Sequence, residues 1–68
     1  MEDSDKTKIE TLLNYWIEHN KEHSEEIAEW AEKARALGED DACEQMLEAV
    51  EEMDKANELL AQALEKLK

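Results

Sequence analysis

A single glycine, Gly38, separates two stretches in which apolar residues recur every three or four positions, and the chain contains no proline. Apolar residues at alternating steps of three and four form one stripe along an α-helix. Glycine readily adopts the left-handed backbone that ends a helix, so the chain has one natural place to turn. We therefore predict an all-α fold, in which two long helices fold back on each other as an antiparallel hairpin.

The predicted boundaries follow from capping signals. Residues 1–6 carry no apolar repeat, and we expect them to form a flexible N-terminus. Thr7 and Glu10 have the spacing of a capping box, in which each side chain accepts a hydrogen bond from an unpaired backbone N–H. Helix 1 is thus predicted over about 7–37, with a start one turn earlier, at Asp3 to Asp5, as the alternative. The turn is predicted at 38–39 and helix 2 over about 40–67, so the hairpin occupies 7–68.

Each predicted helix buries one seam that contains polar residues near its middle. Because the turn lies near Gly38, we expect Asn20 to meet Asn57 and His23 to meet Met53 across the hairpin. A buried polar layer usually fixes the register of paired helices. The predicted seam of helix 1 is Ile9, Leu13, Trp16, Asn20, His23, Ile27, Trp30, Ala34 and Leu37. That of helix 2 is Cys43, Met46, Val50, Met53, Asn57, Leu60, Leu64 and Leu67.

A hairpin of 68 residues buries one seam and leaves other apolar residues facing water. The alanines of helix 2 recur at seven-residue intervals, and small side chains let another helix approach closely. We therefore expect two hairpins to form a symmetric homodimer, a four-helix bundle. Residues expected in this interface are Trp16, Ile17, Trp30, Ala49, Ala56 and Leu59.

The charge of the chain limits its partners. Twenty acidic residues stand against eight basic ones, for a net charge of -12. Such a chain repels nucleic acid and anionic lipid, so we expect neither nucleic acid nor membrane as a partner. The expected partner is a second copy of the chain, or another protein. Cys43 is the single cysteine, and one free thiol fits a cytoplasmic location.

His19 and His23 are four residues apart, so both imidazoles leave one face of a helix and can reach the same metal ion. Glu22, Glu26 and Met53 are further candidate ligands, and zinc, nickel, cobalt or copper are candidate ions. The alternative is a protein-interaction module without metal, whose polar layer of Asn20, His23 and Asn57 fixes register. No catalytic constellation is present, and we predict that the protein is not an enzyme; a phosphotransfer histidine would need an exposed ring.

The segment Trp16-Ile17-Glu18-His19-Asn20-Lys21-Glu22-His23, a Trp-x-x-His-Asn-x-x-His motif, resembles a family of small uncharacterised bacterial and archaeal helical hairpins. The resemblance extends over about residues 9–67. It implies that His19, Asn20, His23, Trp30 and Asn57 are the shared positions. Similar hairpins occur beside metal-related proteins, so the resemblance favours the metal interpretation.

Overall fold

The computed structural model describes residues 2–68, which form two α-helices: α1 spans Glu2–Ala36 and α2 spans Asp40–Leu67. The two helices pack against each other and run in opposite directions, and the molecule measures 54 × 14 × 12 Å. The predicted all-α hairpin is confirmed. Its length follows from the sequence, since no proline interrupts either helix and the lone glycine lies between them.

Helix α1 begins at Glu2, about one and a half turns before the predicted start at residue 7. Residues 2–6, assigned from sequence to a flexible N-terminus, extend the helix; Met1 lies outside the described residues. Thr7 is therefore an interior residue, and its carbonyl accepts a 3.0 Å hydrogen bond from the Thr11 hydroxyl.

The turn is a Schellman motif centred on Gly38. The Glu39 N–H donates to the Ala34 carbonyl and the Gly38 N–H to the Arg35 carbonyl, both at 2.9 Å. Gly38 has a φ of 86°, in the left-handed region. A Cβ at this position would meet no atom within 4 Å, so the backbone angle alone makes glycine the favoured residue. The motif reverses the direction of the chain at Gly38, two residues after the end of α1.

The seam of α1 differs from the predicted seam at every second position. Trp16, His23 and Trp30, which the sequence analysis placed against α2, are all exposed. The positions they were expected to fill are taken by the next residues along the chain, Ile17, Ser24 and Ala31. Ala31 is 0% exposed, and the small Ser24 is also buried. Small side chains at these positions let the helices approach closely, whereas an indole would hold them apart.

The seam of α2 follows the prediction. Cys43 is buried and its thiol is free, and the remaining predicted seam residues, from Met46 to Leu67, are half-buried. Cys43 lies where α2 leaves the turn, opposite the part of α1 that carries Ala31 and Ala34. It therefore acts as a small apolar side chain in the tightest part of the hairpin.

The predicted asparagine layer is present at the middle of the hairpin. Asn20 Nδ2 donates to Asn57 Oδ1 at 3.1 Å, and Asn57 Nδ2 donates to the Ile17 carbonyl at 3.0 Å. Both amides are half-buried. Each amide can form these bonds only when residues 20 and 57 lie side by side, so the layer selects one register of α1 on α2.

Candidate functional site

His19 and His23 lie in the middle of α1 and their side chains converge. The two Nε2 atoms are 3.0 Å apart, and the rings meet edge to face with centroids 4.4 Å apart. The four-residue spacing brings them together, since residues i and i+4 are neighbours on a helix surface. Both residues are exposed, so the converging nitrogens are open to solvent.

The neighbours of the pair hold the two rings in place. Tyr15 stacks on His19 with ring centroids 5.5 Å apart and an interplanar angle of 13°. Glu26 Oε1 lies 3.8 Å from His23 Nδ1, the nitrogen that points away from His19. Tyr15 was expected from the sequence to be a core or interface anchor; it lies outside the core of the hairpin, 58% exposed, and precedes His19 by the same four residues that separate the histidines.

The candidate carboxylate ligands lie around His23. Glu22 and Glu26 line an open surface groove together with His23, and Glu25 and Glu29 complete it. The other candidate ligand, Met53, is half-buried on α2 and is not part of this groove. Among residues 2–68, no cluster of three or more His, Cys, Asp or Glu side chains has the geometry of a metal site.

The separation of the two Nε2 atoms can be compared with the distance that chelation of one ion by two imidazoles requires. Two imidazole nitrogens bound to one ion at about 2.0–2.1 Å lie roughly 3 Å apart in tetrahedral or square geometry. The observed Nε2 separation of 3.0 Å matches that distance. Without an ion the same contact is a hydrogen bond, in which one ring carries its proton on Nε2 and donates it to the other. The pair supplies two ligand positions, and a metal would fill the others from elsewhere.

His23 was predicted to lie in the seam against Met53, and this prediction is wrong. His23 is exposed, with 49% of its side-chain surface accessible. The polar layer inside the hairpin therefore contains Asn20 and Asn57 without the histidine. Exposure makes His23 more available to a ligand than the predicted buried position would have done.

Exposed apolar side chains occupy two columns, each with a spacing of seven residues. The tryptophan column of α1 is Ile9, Trp16, His23, Trp30 and Leu37, and the alanine column of α2 is Ala42, Ala49, Ala56 and Ala63. Each column stands one residue before a seam position of its own helix. Reversing a helix also reverses the sense in which its residues wind about the seam, so equivalent flanks of antiparallel helices face the same side. Both columns therefore lie on one side of the hairpin, its apolar side.

The opposite side of the hairpin is acidic. There the Ser24 hydroxyl donates to Asp54 Oδ1 at 3.4 Å across the two helices. Glutamates at seven-residue spacing follow this side on both helices: Glu18, Glu25 and Glu32 on α1, and Glu44, Glu51, Glu58 and Glu65 on α2. Most of these glutamates thus face away from the tryptophan column, although Glu25 also lines the groove beside His23.

Most residues predicted for a dimer interface lie on the apolar side. Trp16 is 43% exposed and Trp30 is 55% exposed, and Ala49, Ala56 and Leu59 are exposed as well. Ile17 is an exception, because it is half-buried in the seam and its carbonyl binds Asn57. Lys33 lies over the Trp30 ring with its Nζ 4.2 Å from the centroid.

The fold and this site define a two-helix hairpin with one apolar side and an exposed histidine pair. The chain belongs to a family described as a domain of unknown function, DUF8180, which matches residues 9–67. The matched range includes both helices, the turn, the histidine pair and the asparagine layer. No curated protein and no solved structure matches the chain. Neither helix, within residues 2–68, is long and apolar enough to cross a membrane.

Proposed function

We propose that this protein is a small acidic hairpin that self-associates into a four-helix bundle and binds a divalent transition metal through His19 and His23. The observation that carries the proposal is the convergence of the two Nε2 atoms to 3.0 Å on an exposed face. Zinc, nickel, cobalt and copper are the ions that imidazole and carboxylate ligands favour. The lone thiol of Cys43 fits a reducing compartment, and we place the protein in the cytoplasm.

Self-association is supported by the apolar side of the hairpin. A chain of this length buries only about 60% of its unfolded surface when it folds alone. Two tryptophans at 43% and 55% exposure, together with Leu37 at 80%, leave much apolar area in water. A second copy would bury these side chains, and aromatic side chains are the residues that contribute most at protein interfaces.

Metal binding and assembly would then reinforce each other. An ion that binds only the folded chain stabilises it by mass action, and about 100-fold excess over Kd adds about 2.7 kcal/mol. The Tyr15 ring stacks on His19 and the Glu26 carboxylate lies beside His23, contacts that limit the rotation of both imidazoles. Partners of this kind, which contact the ligand side chains instead of the ion, commonly raise metal affinity.

The test is thermal melting of metal-free protein with and without stoichiometric nickel, zinc or copper. We expect one of these ions to raise the midpoint by on the order of 10 °C. The His19→Ala and His23→Ala variants should each abolish the rise, because one imidazole remains. Light scattering on the same samples gives the mass and tests self-association separately.

A matched control keeps two histidines and changes only their spacing. In the His23→Ala/Lys21→His variant the imidazoles stand two residues apart and leave different faces of α1. We expect this variant to show no metal-dependent rise. If it responds as the wild-type chain does, or if no ion shifts the wild-type midpoint, the metal part of the proposal is wrong. A dimer indifferent to every ion would instead support the interaction module whose asparagine layer fixes register.

A further inference from the structure

We propose that two copies pair through antiparallel α1 helices about a two-fold axis beside His23, so that each histidine pair gains a carboxylate from the partner's Glu26. This inference rests on the proposed function and extends it in three ways. It names the contacting surface, the orientation of the second copy and the third metal ligand. The occupant of the apolar side is a second copy of the same chain.

The tryptophan column reads the same in both directions: a large aliphatic residue, Trp, His, Trp, and a large aliphatic residue. A two-fold contact requires this property, since residue i meets residue j and j meets i. Antiparallel pairing about His23 places Ile9 on the partner's Leu37 and Trp16 on the partner's Trp30. His23 then meets the partner's His23. Every side chain of the column faces one of similar size.

The alanine column of α2 is centred at nearly the same height. The Asn20–Asn57 hydrogen bond sets the register, so residues of α1 and α2 whose numbers add to 77 lie level with each other. His23 is then level with residue 54, and the midpoint of the alanine column lies between Glu52 and Met53. At 1.5 Å per residue the two centres differ by about 2 Å. One two-fold axis therefore suits both columns, and the small alanines let α2 approach the partner's α2 closely.

The apolar sides of two hairpins could also stack with α1 on the partner's α2. The charged residues beside the two columns favour the pairing of α1 with α1. The column beside the tryptophan column is Leu12, His19, Glu26 and Lys33. In the other stacking, Glu26 would lie next to the partner's Glu52, and this repulsion would occur twice. With α1 on α1, Glu26 lies within one residue of the level of the partner's His19. Pairing α1 with α1 thus replaces two like-charge contacts with two carboxylate–imidazole contacts and leaves one like-charge contact, between Glu52 and the partner's Glu52 near the two-fold axis.

The same contact supplies a further metal ligand. His19 and His23 of one copy hold two positions on the ion, and the partner's Glu26 approaches from across the interface. Two imidazoles and one carboxylate form a ligand set that zinc accepts, with the fourth position open to water. The two-fold axis generates two equivalent sites per dimer. A site that needs both copies explains how metal binding would stabilise the assembly as well as the helix.

Disulfide cross-linking tests the pairing of α1 with α1. In a Cys43→Ala background, which removes the buried native thiol, we expect the His23→Cys variant to cross-link to itself. The Ile9→Cys and Leu37→Cys variants should cross-link when mixed and not when each is alone. Self-cross-linking at both residues 9 and 37 would show parallel helices and overturn the inference. If the chain is dimeric by light scattering but cross-links at none of these positions, the pairing of α1 with α1 is wrong and self-association is still supported. If its mass is that of a monomer, self-association is wrong as well.

Mixing two variants tests the ligand from the partner. The His19→Ala/His23→Ala variant keeps Glu26, and the Glu26→Gln variant keeps both histidines. At a nickel or zinc concentration too low to bind either variant alone, we expect the equimolar mixture to bind about a quarter of the wild-type metal per chain, since half of randomly formed dimers are mixed and each has one complete site. Metal binding no greater than the average of the separate variants would contradict a ligand from the partner.

Discussion

Two columns of α1 that stand one residue apart have opposite surroundings. Ser24 and Ala31 belong to the buried column, and His23 and Trp30, the residues immediately before them, are exposed. The exposed column carries the larger and more apolar side chains. The difference shows that space between the helices, and not hydrophobicity alone, decides which column faces α2. The large side chains remain available for a contact that the single hairpin does not make.

Removing an indole from the exposed column should have the largest effect on assembly. We expect Trp30→Ala to weaken the dimer by about 2 kcal/mol per copy, which is the scale of an interface hot spot. Two copies contribute to a symmetric contact, so Kd should rise about 1000-fold. Sedimentation equilibrium over a range of chain concentrations measures this change.

Tyr15→Ala is the matched control for Trp30→Ala, because Tyr15 is also an exposed aromatic residue of α1, at 58%, but lies outside the tryptophan column. In metal-free protein, where the contact of Tyr15 with His19 cannot affect metal binding, we expect the Kd of this variant to remain within a few-fold of wild type. Equal losses for both variants would show that association does not depend on the column.

Filling the buried column should have the next largest effect, on folding. Ala31 is 0% exposed, so we expect Ala31→Leu to overpack the seam and lower the free energy of unfolding by about 1–3 kcal/mol. Ala61→Leu adds the same atoms at an exposed position of α2 and should change stability by less than about 0.5 kcal/mol. Urea denaturation at equal chain concentration compares them. If Ala31→Leu leaves the free energy of unfolding unchanged, the seam can accommodate a larger side chain at this position.

The asparagine layer sets the register of α1 on α2, and therefore the relative heights of the tryptophan column and the alanine column. Asn20→Ala leaves Asn57 Oδ1 without its donor, and we expect a loss of about 1 kcal/mol. In a double-mutant cycle with Asn57→Ala, the two losses should be non-additive by about 0.5–1.5 kcal/mol. Asn14 donates to the Glu10 carbonyl on the exposed surface, so Asn14→Ala serves as the control and should be nearly neutral. Additive losses at residues 20 and 57 would argue that the amide contact does not contribute to stability.

The turn offers a way to weaken the hairpin without touching either column. Gly38→Ala must hold alanine at a φ of 86°, which we expect to cost about 1 kcal/mol in unfolding free energy. The folded variant should have the same mass in solution as the wild-type assembly. Light scattering measures this mass and thermal melting measures the loss of stability; an unchanged melting midpoint would mean that the turn relaxes to accept alanine.

The sequence predicted the hairpin because Gly38 and two uninterrupted repeats leave few alternatives. It also predicted the asparagine layer, since the turn position fixes which residues lie opposite each other. The sequence did not predict which residues form the buried column of α1. Trp16 and Ile17 both fit an apolar stripe, and the smaller residues are favoured only because the two helices approach closely. The convergence of His19 and His23 was predictable from their spacing. Their exposure was not, because it depends on which column faces α2.

We propose that the exposed tryptophan column makes this hairpin a dimer. The most direct test is the mass of the wild-type chain by sedimentation equilibrium at micromolar concentration. One chain has a mass of 7.9 kDa. We predict twice that mass, decreasing toward that of one chain on dilution. A mass of one chain at every concentration, with or without metal, would show that the hairpin does not dimerise. The apolar side would then not be covered by a second copy.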